Sequence, residues 1–455
     1  MPASDTDQWR GPIASGPLPR RTRLTISNGE GKPNFRRAIN ATETTWLTVL
    51  PLESHCCAAR IGFANPFREP MPIIAAAIHP SASYNPVPGA TVPGTSIGLP
   101  DGGAPGSPVY FDRAGLDTAW INGAGRARGL IIPGDPGNTH DAPGPFTIVW
   151  SDWAPVRSIP RTDGGTQPLL FLYVALDRGA MATAGTGADP FAYAASHACR
   201  GRVSVSLSSA ASGDWTSNPA ATAWHGATPA PAGNGSQWGL SPVFCLQYLS
   251  LVPGIQGVIS GDSLMSGPGG PHGDGFSAAP IRAAYDLSHL SRPVCMAHLA
   301  CGGAGSAVYH ETLLRNLEAL RPSLLVLQPL SRNDGMVPAR LDALLARLLM
   351  TCDRAEAEYG ARTIFQGAYP IPSVDPANGG SADEVALWHQ VRATLAAMRN
   401  AGMPVDDGAA LIGDAAFPWR YAAGFSDDGT HPNDAATETL TPEVRRLLEA
   451  LLERR

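Results

Sequence analysis

Four short clusters hold side chains suited to one kind of chemistry, the transfer of an acyl group through a serine. They are Gly261-Asp262-Ser263-Leu264, Cys301-Gly302-Gly303-Ala304-Gly305, Ser331-Arg332-Asn333-Asp334 and Asp428-Gly429-Thr430-His431-Pro432. A serine hydroxyl attacks a carbonyl effectively only if a base takes its proton as the new bond forms, and an imidazole held by a carboxylate does this near neutral pH. Asp428 stands three residues ahead of His431 across a glycine-containing turn, a spacing that lets the carboxylate reach Nδ1–H and fix the tautomer. His431 is therefore the expected base, Ser263 the expected nucleophile and Asp428 the orienting acid. The oxygen that turns negative on attack needs N–H donors aimed at it. The backbone N–H groups of Ser263 and Gly303 and the side-chain amide of Asn333 are the expected donors; Gly302 competes with Gly303, and Gly303 is favoured. Losing one such donor typically raises a barrier by about 2.7–4 kcal/mol.

Chance does not readily supply these clusters together. A Gly-Asp-Ser-Leu tetrapeptide arises in a chain of this length roughly 1% of the time, and Asp-x-x-His-Pro roughly 3%. Other polar residues nearby have plainer readings. Asp262 and Asp334 brace loops, as aspartate commonly does in turns. His298 is a packed or hydrogen-bonded strand residue, and His310 with Glu311 starts a helix. His272, His310 and His389 show no metal-ligand spacing, so neither metal nor cofactor is expected.

For the clusters to meet, the chain between them must fold as strand alternating with helix. Ile255-Gln-Gly-Val-Ile-Ser, Val294-Cys-Met-Ala-His-Leu-Ala, Leu324-Leu-Val-Leu-Gln-Pro-Leu and Thr363-Ile-Phe-Gln-Gly-Ala-Tyr read as buried strands. Leu313, Leu314, Leu317 and Leu320 mark one helix, and Leu341, Leu344, Leu345, Leu348, Leu349 and Cys352 another. A third runs from Ser381, whose Glu384 makes a capping box, to a stop at Gly402. A last helix carries Val444, Leu447, Leu448, Leu451 and Leu452, with Thr441-Pro442 as its start signal. Such alternation predicts a parallel sheet covered on both faces, with ligands at the strand C-termini, where three of the clusters fall.

Upstream of about residue 245 the pattern differs. Short runs such as Trp46–Leu50, Ala59–Phe63, Thr147–Trp150, Leu169–Val174 and Arg202–Leu207 are β-branched and aromatic, bounded by turn residues. Two units are expected: 1–245, an all-β sandwich or jelly-roll-like accessory domain, and 246–455, the catalytic α/β domain. Residues 80–108 and 208–241 are low in complexity and read as long loops, the second carrying Trp215, Trp224 and Trp238.

Bulk properties exclude several classes. A net charge of −6 and a pI near 6.0 give no basic footprint for nucleic acid. No apolar run reaches the ~18 residues of a membrane span, and the first residues lack a secretory pattern, so the expectation is a cytoplasmic location or an exporting segment outside this sequence, with the choice left open. Seven cysteines at irregular spacing suggest reduced core thiols, with a Cys199–Cys245 bridge left open.

The order and character of the four clusters resemble the conserved blocks of the SGNH hydrolases, also known as GDSL esterases and lipases. By that resemblance Ser263 falls on the nucleophile, Gly303 and Asn333 on the oxyanion-hole residues, and Asp428 and His431 on the paired acid and base. The resemblance covers residues 246–455, and more weakly Arg60-Ile-Gly-Phe-Ala-Asn-Pro-Phe upstream. It implies a flavodoxin-like three-layer α/β/α fold, no metal or cofactor, and a serine esterase acting on small-molecule or carbohydrate esters. With no obvious apolar lid helix, it also implies short acyl groups such as acetyl. One departure is Ser331, where the family's block begins with glycine; another is the glycine-rich stretch Met265–Phe276, which could wall the cleft. Two other readings remain open: an O-acyltransferase using the same triad, and a glycan-binding protein with an inactive hydrolase domain. Oligomeric state is not legible.

Overall fold

A computed structural model of the chain describes residues 20–25, 45–65, 71–79, 107–108, 130–137, 144–158, 167–176, 203–207, 244–266, 278–370 and 381–453. In chain order the strands are β1 (Arg20–Thr25), β2 (Thr45–Pro51), β3 (Cys56–Phe63), β4 (Met71–His79), β5 (Ser107–Pro108), β6 (Leu130–Ile132), β7 (Val149–Trp150), β8 (Ala154–Pro155), β9 (Leu169–Leu176), β10 (Val203–Leu207) and β11 (Phe244–Ser250). β12 (Ile255–Ser260), β13 (Val294–His298), β14 (Leu324–Leu327) and β15 (Arg362–Phe365) follow. The helices are α1 (Ser263–Ser266), α2 (Ala279–Leu287), α3 (Ser306–Leu320), α4 (Leu341–Tyr359), α5 (Ala382–Asn400), α6 (Gly408–Ile412) and α7 (Asp434–Glu453). Trp215, Trp224, Trp238, Cys199, His272, most of 80–108 and residues 267–276 lie outside the described residues.

The expected alternation forms a parallel sheet in the order β13-β12-β14-β15. Every residue of β12, β13 and β14 is buried, as a strand covered on both faces requires. A fifth position is reduced to one parallel bridge, Phe365 with Val405, closed by Phe365 N–H to the Pro404 carbonyl and Asp406 N–H to the Phe365 carbonyl. The resulting order, 2-1-3-4-5, is that of a doubly wound sheet whose ligand crevice opens between its first and third strands, here β12 and β14. α2 and α7 cover one face, where Ala283, Val444 and Leu448 meet Ile255 and Ile259. On the other face Leu313, Leu317, Leu344, Leu348, Trp388 and Val391 of α3, α4 and α5 share a cluster with Val258 and Leu325. The α5 capping box is present: Ser381 Oγ accepts from Glu384 N–H at 3.2 Å, and Glu384 accepts from Ser381 N–H at 2.6 Å.

The last helix departs from its Thr441-Pro442 start signal. α7 begins at Asp434 and contains Pro442. Asn433 sets the start, its side-chain oxygen accepting from Ala436 N–H at 3.2 Å. An interior proline costs a helix roughly 3 kcal/mol. Burial of Ala436 and Leu440 before it and of Val444, Leu447 and Leu448 after it offsets that cost.

The N-terminal half is joined to the parallel sheet. Beyond β13 the sheet continues through β1, β11, β3 and β7, with β8 on β3, making nine strands among the described residues. The composition boundary at 245 thus falls inside β11. A parallel sheet edge leaves unpaired N–H and C=O groups, and these strands cover one: β1 pairs parallel with β13 at Thr25 and His298, and antiparallel with β11. The second sheet, β10-β2-β9-β4-β5 with β6 on β4, draws all its strands from the first half. Asn316 of α3, 1% exposed, ties the halves together by donating to the Phe146 carbonyl at 3.0 Å and accepting from Ile148 N–H at 2.8 Å. Cys245 is a buried thiol in β11; its suggested partner Cys199 lies outside the described residues. Among the described residues, no helix is long and apolar enough to cross a membrane.

Candidate active site

Ser263 opens the single turn α1 directly off the C-terminal end of β12. The turn before it is tight because Gly261 packs against its neighbours: a Cβ there would lie 2.6 Å from both Gln328 Oε1 and Met265 Cγ. That approach lets Gln328 Oε1 accept the Asp262 N–H at 2.9 Å. Asp262 is buried, its Oδ1 accepting from Leu264 N–H at 2.9 Å and its Oδ2 from the Ser331 hydroxyl at 2.7 Å. Burial pushes this carboxyl above its ordinary range, opposed by hydrogen bonds involving Ser331, the Leu264 N–H and Gln328. Below the turn, His298 Nε2 lies 2.9 Å from the Met265 carbonyl and donates to it. Burial lowers the His298 ring from an ordinary 6.5 to about 4, so it is neutral. Asp262 and His298 therefore brace the serine turn.

The His431 turn is held from both ends. Asp428 Oδ2 lies 2.8 Å from His431 Nδ1, while Oδ1 accepts from the backbone N–H groups of Thr430 and His431, each at 2.8 Å. The carboxylate thus orients the ring and shapes the backbone that carries it. Burial acts to raise the Asp428 carboxyl, but the bond to the His431 ring, the two N–H donors and the imidazole charge outweigh it and hold the group well below its ordinary range. The Asn433 amide donates to the Gly424 carbonyl and to Asp427, both at 2.9 Å, and the Tyr421 hydroxyl donates to the Thr430 carbonyl at 3.3 Å. Burial pushes the Tyr421 hydroxyl well above its ordinary range, with the charges of Asp428 and Asp262 adding to it.

The remaining clusters border the same crevice. Gly303 adopts φ +77°, a left-handed conformation that explains the need for glycine at that position. Asn333 lies in a short 3-10 turn capped by Ser331, whose hydroxyl accepts from Asn333 N–H at 3.2 Å. One hydrogen of the Asn333 amide goes to the Ala304 carbonyl at 3.2 Å. Ser331 thus couples the Asn333 turn to Asp262, and its departure from glycine has a structural use. Asp334 caps α3, accepting the Ser306 N–H at 2.9 and 3.0 Å. Beside Leu264 a small depression is lined by Leu330, Arg332, Met336, Ala368, Tyr369 and Pro370. Ala368 takes φ +51°, uncommon for a residue with a side chain.

No protein-family model and no curated protein matches the chain. Several solved structures are similar to part of it. A GDSL-like lipase from Bacteroides thetaiotaomicron shares 16% identity over 43% of this chain and 88% of its own, with a TM-score of 0.32. A lipase/acylhydrolase from Enterococcus faecalis shares 15% over 43% and 95%, at 0.30. The psychrotrophic esterase EstA from Pseudoalteromonas sp. shares 16% over 43% and 98%, also at 0.30. Over that share of its length the chain resembles GDSL-like hydrolases. Among the described residues, no group of three or more His, Cys, Asp or Glu side chains could hold a metal ion.

Gln328, Tyr421 and the linking role of Ser331 had no signal in the sequence. Each acts on a partner distant in the chain except Tyr421, whose aromatic character alone gave no hint of a bond to the Thr430 carbonyl.

Proposed function

We propose that the chain is a serine ester hydrolase of the SGNH type, with Ser263 as nucleophile, His431 as base and Asp428 as the carboxylate that orients it. The observation that carries this reading is the Asp428–His431 pair at 2.8 Å, its carboxylate fixed by two backbone N–H donors. His431 takes the Ser263 proton as the hydroxyl adds to the ester carbonyl, and the oxyanion is met by the N–H groups of Ser263 and Gly303 and the second amide hydrogen of Asn333. Collapse releases the alcohol, which receives its proton from His431, and water then cleaves the acyl-enzyme by the same steps in reverse order. The small depression beside Leu264, lined by Leu330, Met336 and Tyr369, would receive a short acyl group such as acetyl.

Two measurements test this. A fluorophosphonate probe should label the wild-type chain and not Ser263→Ala; labelling of the variant would remove Ser263 from its role. Turnover of p-nitrophenyl esters should fall steeply from acetate to octanoate, and a preference for octanoate would overturn the short-acyl assignment.

A further inference from the structure

One buried oxygen touches all three of the clusters that follow β12, β13 and β14. Ser331 is fully buried, and its single hydroxyl hydrogen lies between two acceptors, Asp262 Oδ2 at 2.7 Å and the Ala304 carbonyl at 3.2 Å. The same oxygen accepts the Asn333 N–H at 3.2 Å. Asp262 precedes Ser263, and Ala304 follows Gly303. Each contact therefore lies at, or one residue from, a donor expected to meet the oxyanion.

Each contact also bears on the local path of the chain. The other oxygen of Asp262 accepts the Leu264 N–H at 2.9 Å, so the hold on Oδ2 sets the turn that presents the Ser263 N–H. The Ala304 carbonyl takes one hydrogen of the Asn333 amide at 3.2 Å, and the residue before it is Gly303 at φ +77°. The Ser331 carbonyl accepts the Asp334 N–H at 3.2 Å, closing the short turn on which Asn333 rides. Three loops from three strand ends are thus tied to one atom. The shortest of its contacts is the bond to a carboxyl oxygen, the kind that is strongest when the carboxyl is ionised. A glycine at this position would supply no such atom.

We infer that Ser331 is a positioning residue that sets the oxyanion donors of Ser263, Gly303 and Asn333 in one register. This rests on the ester-hydrolase reading. Such donors act when they stand about 2.7–3.1 Å from the developing charge, and a misplacement of about 1 Å can cost about 10²-fold in rate. Interactions made only in the transition state change kcat and leave KM nearly fixed. A side chain that merely capped its own turn would leave both constants alone.

The test is steady-state hydrolysis of p-nitrophenyl acetate by the full chain. In Ser331→Ala, kcat should fall about 10–100-fold, with KM within about twofold of the wild type. Ser331→Cys keeps a weaker donor of similar size, and its kcat should lie between the two. It carries the test alone if thermal unfolding shows that Ser331→Ala does not fold. In Asn333→Ala, where one donor is already gone, removing the Ser331 hydroxyl should cost less than in the wild type. An unchanged kcat, a loss confined to KM, or an undiminished loss beside Asn333→Ala overturns the inference. Failure of the parent reading looks different: the wild type would leave p-nitrophenyl acetate intact, or Ser263→Ala would still hydrolyse it. Either result removes this inference as well.

Discussion

Asp428 performs two tasks with two oxygens, and they can be separated. In Asp428→Asn the remaining oxygen can still accept the Thr430 and His431 N–H groups, so the turn should keep its shape. The new amide, however, would present N–H to Nδ1 and favour the wrong imidazole tautomer. We expect kcat on p-nitrophenyl acetate to fall by about 10³–10⁴-fold with little change in thermal stability. A loss below tenfold would show that the carboxylate does not orient the base. This pair was readable in the sequence because its partners are three residues apart. The Ser331–Asp262 bond, spanning 69 residues, was not, and Ser331 looked only like a substitution for glycine. Periodicity and motif report short-range geometry, so long-range polar contacts around Ser263 stayed hidden.

His298 shows the same division one level up, where elements meet. Its strand was evident from an unbroken apolar run, but that its ring supports α1 depends on how α1 lies over β13. With the folded ring titrating at about 4 against an ordinary 6.5, the unfolded chain binds a proton that the folded chain refuses across that window. His298 should therefore contribute fully above pH 6.5, and its contribution should decline as pH falls toward 4. Urea unfolding at pH 7 and pH 5 should show a smaller loss of stability in His298→Gln than in the wild type. Parallel losses in the two proteins would exclude this role. The start of α7 was missed for a related reason. A proline at position N1 is a strong local signal, but packing on both sides of Pro442 overrode it, and Asn433 supplied the cap.

Composition suggested two units, 1–245 and 246–455, and among the described residues one nine-stranded sheet runs across that boundary. The shift near residue 245 is real, since β-branched strands and glycine-rich loops give way to strand and helix. Pattern along the chain does not reveal that β1, β11 and β3 continue the hydrogen-bonded ladder from β13. Asn316 tests this junction. Asn316→Ala would leave the buried Phe146 carbonyl and Ile148 N–H without their side-chain partner, at roughly 1–3 kcal/mol for each buried group left unsatisfied. Urea denaturation should register a single transition at lower midpoint. Two resolved transitions, or no change, would show that the halves are stable apart.

That shared ladder has a consequence during synthesis. Thr25 must wait for His298, some 270 residues later, before its side of the sheet can close. At roughly 5–20 residues per second, the delay is on the order of 15–55 s. For that interval an early strand has left the ribosome with no parallel neighbour to take its edge. β11, which pairs with it antiparallel, arrives first and can occupy the other side. The nascent chain is thus exposed longest where its two halves will later be sewn together, and a chaperone requirement would centre on that seam.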